Sequence, residues 1–91
     1  MYKIEKIVTL SVGTTAQTVQ VSGRPCLVRN NSQSAAVYFK DKLTDGAAAD
    51  SNNGWALPAG AETRFPVMVM ELSVVASDAG ADVRVMILEE C

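Results

Sequence analysis

Asn53-Gly54-Trp55-Ala56-Leu57-Pro58-Ala59-Gly60-Ala61-Glu62-Thr63-Arg64-Phe65-Pro66 decides the fold class of this 91-residue chain. The stretch holds the only tryptophan, one of two phenylalanines, two of three prolines and two of six glycines. Gly and Pro fix where a backbone turns, while Trp55, Leu57 and Phe65 supply apolar surface to bury between the turns. Leu57-Pro58-Ala59-Gly60 suits a type II turn with Pro58 at i+1. Ala59 then falls at i+2, where glycine is preferred, which leaves room for a turn shifted by one residue. Residues 62–65 read as a strand that Pro66 ends or confines to an edge.

Short β segments lie on both sides. Downstream, residues 67–76 and 82–89 are strands, with a turn at Ser77-Asp78-Ala79-Gly80-Ala81. Upstream, residues 4–12 are rich in β-branched side chains, and residues 17–22 alternate, with Val19 and Val21 on one face. A polar turn at 13–16 joins these two, so the pair reads as a β-hairpin. Residues 26–29 form a short strand before the loop Asn30-Asn31-Ser32-Gln33-Ser34. Residues 36–40 form another, with Val37 and Phe39 facing inward and Tyr38 outward. Residues 41–54 are small and polar and read as a surface loop. Leu10-Ser11-Val12…Val19-Gln20-Val21 is echoed by Leu72-Ser73-Val74…Val83-Arg84-Val85.

The expectation is one all-β domain over residues 1–91: a small antiparallel β-sandwich or barrel, jelly-roll-like, of about seven or eight strands. A chain this short buries roughly 60–65% of the surface its unfolded form exposes. The apolar content of 48% is ample for a core, although aromatics are only 5%.

Composition narrows the chemistry. The chain has no histidine, which removes the commonest general base and metal ligand and excludes Ser-His-Asp and Cys-His catalysis. The two cysteines, Cys26 and Cys91, form neither a CxxC pair nor a metal knuckle. Cys26 reads as a small buried apolar residue and Cys91 as a terminal thiol. Eight basic and ten acidic residues are interspersed, with no basic stripe, so nucleic acid is not an expected partner. There is no signal-peptide core and no apolar run of the roughly 20 residues that a membrane helix requires. Synthesis in the cytoplasm, no membrane and no cofactor are the expectations.

The closing strands carry more apolar surface than one small sandwich hides. Met68 and Met70 alternate with valines after Pro66, and Met86 and Leu88 point away from a core built on Val83, Val85 and Ile87. Either the 41–54 loop forms a second layer or a neighbouring subunit covers them. Met68, Met70, Met86 and Leu88 are therefore the expected interface of a closed homo-oligomer such as a trimer. Trp55 with Tyr38 and the neighbouring asparagines offers an alternative, a stacking platform for a sugar ring in a carbohydrate-binding module; a buried Trp55 would instead anchor the loop. Asp41, Asp45 and Asp50 match no EF-hand spacing and read as solvated loop acids. Glu62 and Glu71 have no spacing that makes them a hydrolytic pair. Arg24, Arg29, Arg64 and Arg84 read as cross-strand ion-pair partners or as one surface for acidic partners.

Val28-Arg29-Asn30, Val37-Tyr38-Phe39, Gly54-Trp55-Ala56-Leu57-Pro58-Ala59-Gly60 and the strand 82–89 follow one another in an order that resembles small all-β virion structural proteins of phages and prophages. In these a "V-x-N" turn leads to an aromatic strand, a polar loop, a "G-aromatic-x-L-P-A-G" corner and two closing strands. The similarity spans about two-thirds of the chain and omits its N-terminal segment. It implies a non-enzymatic capsid decoration or head–tail protein that docks on a capsid or tail protein within the virion. It transfers no functional residue.

Overall fold

The structure, a computed structural model, describes residues 2–41, 48–65 and 71–90. Eight strands form: β1 (Tyr2–Val12), β2 (Gln17–Gln20), β3 (Cys26–Asn30), β4 (Val37–Asp41), β5 (Trp55–Leu57), β6 (Glu62–Phe65), β7 (Glu71–Ala76) and β8 (Ala81–Glu90). They make two four-stranded sheets, ordered β1-β8-β3-β6 and β2-β7-β4-β5. Every pairing is antiparallel. The pairs β1·β8, β2·β7, β3·β6 and β4·β5 are those of one long hairpin folded back on itself. Pairing of β8 with β3 and of β7 with β4 then closes each sheet, which is the jelly-roll arrangement.

This topology corrects the hairpin expected at the N-terminus. β1 pairs with β8 and β2 with β7, so the two neighbours in sequence lie in different sheets. Alternation identifies a strand but not its partner. The corner between them is tied to β7 instead, where Ala76 N donates to Gly13 O at 2.9 Å. The internal echo has a structural counterpart: the two β–turn–β segments that resemble each other are the two that pair.

Inward-facing positions meet between the sheets. Val12, Val19, Val28, Val37, Phe39, Leu72, Val74, Val83, Val85 and Ile87 form one buried cluster. Valine dominates because the two sheets pack close, and each such side chain contributes roughly 1.5–3 kcal/mol on burial. Val37 and Phe39 face inward as expected, and Tyr38 is half-buried on the other side. Cys26 lies in the same cluster as a free thiol; loss of water on burial pushes its pKa up to about 11, so it stays protonated at neutral pH.

Three turns rest on positive φ, one of them at Gly80 (77°) between β7 and β8. Ser22 (58°) and Gly23 (75°) form the centre of a turn closed by Arg24 N donating to Val21 O, the primed geometry. Gly60 (80°) is the third residue of a turn closed by Ala61 N donating to Pro58 O at 3.0 Å. The Pro58 turn is thus shifted by one, and the glycine sits where the chain needs it.

Asn30 ends β3 and is fully buried. Its Nδ2 donates to Ala35 O (2.8 Å) and Leu57 O (2.9 Å), and its Oδ1 accepts from Ser32 N (3.1 Å). Its backbone N donates to Ala61 O, and its carbonyl accepts from Gly60 N. One side chain therefore joins the loop after β3 to the corner after β5, the two separate pieces of the "V-x-N" and "L-P-A-G" pattern.

Residues 48–54 form the surface loop expected there, with Ala49 alone buried. Asp50 Oδ1 accepts from Asn52 N and Asn53 N, both at 2.8 Å, and Asn53 Oδ1 accepts from Asp50 N at 2.7 Å. The segment packs on the outer face of β7, where Ala49 N donates to Ser73 Oγ at 2.9 Å. Ala49, Ser73 and Val75 are all buried there. The loop is thus the second layer for the β2-β7-β4-β5 sheet. The expected interface residues Met68 and Met70, the terminal Cys91 and the loop acid Asp45 lie outside the described residues.

Candidate functional site

The other sheet, β1-β8-β3-β6, has no such cover among the described residues. Its outer face is ordered in rows across the strands. Ile4 stands opposite Leu88; Ile7, Met86, Leu27 and Arg64 form the next row. Thr9, Arg84, Arg29 and Glu62 form the row after that. The first two rows are apolar across β1, β8 and β3, with Arg64 at the β6 end of the second, and the third is charged. Ile4 and Ile7 are each 54% exposed, and Tyr2, at the apolar end, is 46% exposed. Large aliphatic side chains this exposed and this close together mark a contact surface.

A β-bulge creates this surface. Ile4 and Ile7 are three apart, and in a regular strand they would point to opposite faces. The register slips between Ile4 and Lys6, which adds one residue to β1 and returns both isoleucines to the same side. Glu5, the extra residue, pairs with Arg24. Sequence reading treated these isoleucines as ordinary strand residues. The usable signal was the odd spacing of two large apolar side chains on either side of Glu5-Lys6.

Of the interface residues expected on β8, Met86 is half-buried in the apolar rows. Leu88 is only 8% exposed, which corrects its place as a contact residue. It lies beside β1 at Ile4, and its N donates to Pro25 O at 2.9 Å, so its own chain covers it. The apolar surplus of β8 therefore surfaces largely on the neighbouring strand, at Ile4 and Ile7.

The edges matter for how such a face could be used. β1 is an edge strand of 11 residues, a length that invites strand addition. It carries Lys3, Glu5 and Lys6 and is kinked by the bulge, and both features oppose edge-to-edge pairing. The face is left as the more open surface. On its charged row Arg84 grips Asp82, with Nε–Oδ1 at 3.0 Å and Nη2–Oδ2 at 3.1 Å, and Asn31 Nδ2 donates to the same carboxylate. The Arg84 guanidinium first, then the Asn31 amide, hold the Asp82 carboxyl below the usual carboxylate range. Arg29 stands opposite both Arg84 and Glu62.

The second candidate site is divided. Trp55 is 69% exposed, which overturns its reading as a buried anchor. It stands opposite Phe39 on the inward side of β5, at the rim of a cleft of about 320 Å³ lined also by Asn53 and Thr63. Tyr38 stands opposite Ala56 and borders a different cleft, with Asp50 and Val75. The two aromatic rings thus occupy opposite faces of one sheet and form no shared platform. The Asn53 amide is already engaged by Asp50 N and Ala48 O. Because Trp55 is mostly in water, Trp55→Ala is expected to change the unfolding free energy by under about 1 kcal/mol. A thermal melt checks this, and a loss above about 2 kcal/mol would return Trp55 to a structural role.

The remaining candidates are dispersed. Glu62 on β6 and Glu71 on β7 belong to different sheets. Asp50 caps its own turn. Among the described residues no three His, Cys, Asp or Glu side chains cluster as metal ligands. Nor is there a helix long and apolar enough to cross a membrane.

No family model matches the chain, and no curated protein matches it in sequence. Its fold has solved counterparts. Hydroxypropylphosphonic acid epoxidase from S. wedmorenis superposes with a TM-score of 0.51 over 89% of this chain, at 13% identity. The chain spans 40% of that enzyme's length. A protein of Bacillus endospore appendages, described as disulfide-linked pili, superposes with a TM-score of 0.51 over 97% of this chain and 82% of its own, at 9% identity. At these identities the likeness is one of fold.

Proposed function

We propose that the chain is a non-enzymatic structural protein that acts by self-association or by docking on a larger particle. The observation that carries this reading is the apolar pair of rows around Ile4, Ile7, Leu27 and Met86, which no described residue covers, in a molecule whose other sheet is covered by its own loop. The pilus protein of the same fold gives a precedent for jelly rolls used as building units. The resemblance to phage and prophage virion proteins points to a capsid or tail assembly as the particle.

A sugar-binding role is the weaker reading, since Trp55 and Tyr38 do not converge. The test is static light scattering on the purified chain from micromolar to about millimolar concentration. The expected result is a mass that rises with concentration towards a closed oligomer of one stoichiometry. A mass equal to one chain at every concentration would remove the self-association half of the proposal. Glycan binding lost in Trp55→Ala with an unchanged melting temperature would favour the alternative.

A further inference from the structure

We infer that the partner of the β1-β8-β3-β6 face is a second copy of the same face, related by a two-fold axis that runs across the strands. This rests on the self-association reading and adds the surface, the symmetry and the orientation. Two physical constraints select the arrangement.

The first is charge. The face has an apolar half and a row in which Arg29 stands directly opposite Arg84. A two-fold axis parallel to the strands and centred between β8 and β3 would set Arg84 of each copy over Arg29 of the other and Arg64 over Ile7, which opposes association. An axis across the strands turns one copy end for end. Centred at the level of Ile87, it places the row of Ile7 and Met86 over the partner's row of Ile4 and Leu88. The row holding Thr9, Arg84 and Arg29 then falls over the level of the partner's Tyr2. A tyrosine ring can stack on a guanidinium there without displacing its carboxylate. Tyr2, half exposed at the apolar end, is opposite Glu90 and so lies on this same face.

The second is area. Five partly exposed side chains, Tyr2, Ile4, Ile7, Leu27 and Met86, make a contact smaller than the roughly 1,200 Å² of stable specific interfaces, so the pair is a weak one. The pair is therefore expected to be reversible at micromolar concentration and firm only where many copies are held together. An isologous contact of this kind is self-complementary and closes at two chains.

Sedimentation velocity of the full chain from about 10 μM to about 1 mM tests the pairing, over the range this contact size implies. The wild type is expected to show a monomer–dimer equilibrium, and Ile7→Glu to weaken it at least tenfold with an unchanged melt. Ile7→Ser serves if the glutamate perturbs folding. Orientation is read by Tyr2→Cys together with Thr9→Cys, in a Cys91→Ser background. These positions are too far apart along one strand for a short bismaleimide to bridge within a chain, and that reagent, which spans the roughly 10 Å between stacked sheets that a disulfide does not, should give covalent dimer, while Thr9→Cys alone should give little. A trimer, a dimer indifferent to Ile7→Glu, or cross-linking by Thr9→Cys alone overturns this arrangement and leaves self-association standing. A monomer throughout overturns both.

Discussion

Asn30→Ala is expected to lower the unfolding free energy by about 3–5 kcal/mol, the largest effect of any single polar truncation here. Asn30 is fully buried and every polar atom of its side chain has a partner. Alanine removes two donors and one acceptor at once. The carbonyls of Ala35 and Leu57 and the amide of Ser32 then lose their partners in a closed site. Each buried orphan costs about 1–3 kcal/mol, less where water can enter beside the part-buried Ser32. A domain of this size has only about 5–9 kcal/mol in total, so the variant should stand near the edge of folding.

Urea unfolding followed by circular dichroism measures the difference. Asn31→Ala is the control, because the Asn31 side chain is exposed and bonds only the Asp82 carboxylate. Its loss should be under about 1 kcal/mol. Similar small losses at both positions would mean that Asn30 does not link the loop after β3 to the Pro58 corner.

That linkage shows which parts of the fold the sequence could disclose. Strand positions were legible because valine and isoleucine alternate with polar residues, and turns because Gly60, Gly80 and Ser22-Gly23 stand at their centres. Residues 30 and 57–60 were each legible as turn signals. Their union was not, since hydrogen bonds between segments 27 residues apart leave no periodic trace. Pairing failed for the same reason: β1 is followed at once by β2, and proximity along the chain favoured a hairpin that the jelly-roll corner forbids. Of the apolar surplus read in the closing strands, Leu88 is buried within the chain and Met86 is half-buried. What composition could not say is that one sheet takes its cover from residues 48–54, or that the bulge at Glu5 moves the open surface onto Ile4 and Ile7. Trp55 was misjudged because a lone tryptophan is usually core, while here its strand ends at the rim of the sandwich.

Gly54→Ala should be the next most damaging change, with a loss of about 2–3 kcal/mol. The cause is space. A Cβ at this position would lie 2.9 Å from Asp50 O, 2.9 Å from Tyr38 Cβ and 3.2 Å from Phe39 N. None of these is the free end of a flexible side chain, so the backbone of the 48–54 segment or of β4 must move. Gly54 N also donates to Asp50 O at 3.0 Å, so the shift strikes the turn that holds the covering loop. Gly60→Ala separates this effect from backbone conformation. Gly60 has a φ of +80° and nothing within 4 Å of an added Cβ, so its loss of about 1–2 kcal/mol would come from the left-handed conformation alone. Amide exchange distinguishes the two mechanisms. Gly54→Ala should speed exchange at Ala49, whose N–H is bonded to Ser73 Oγ under the loop, and Gly60→Ala should leave that amide protected. Unchanged protection at Ala49 in Gly54→Ala would mean that the loop holds its place on β7 without the close approach at Gly54, and that the cover of this sheet rests on the Asp50–Asn53 turn and the Ser73 bond.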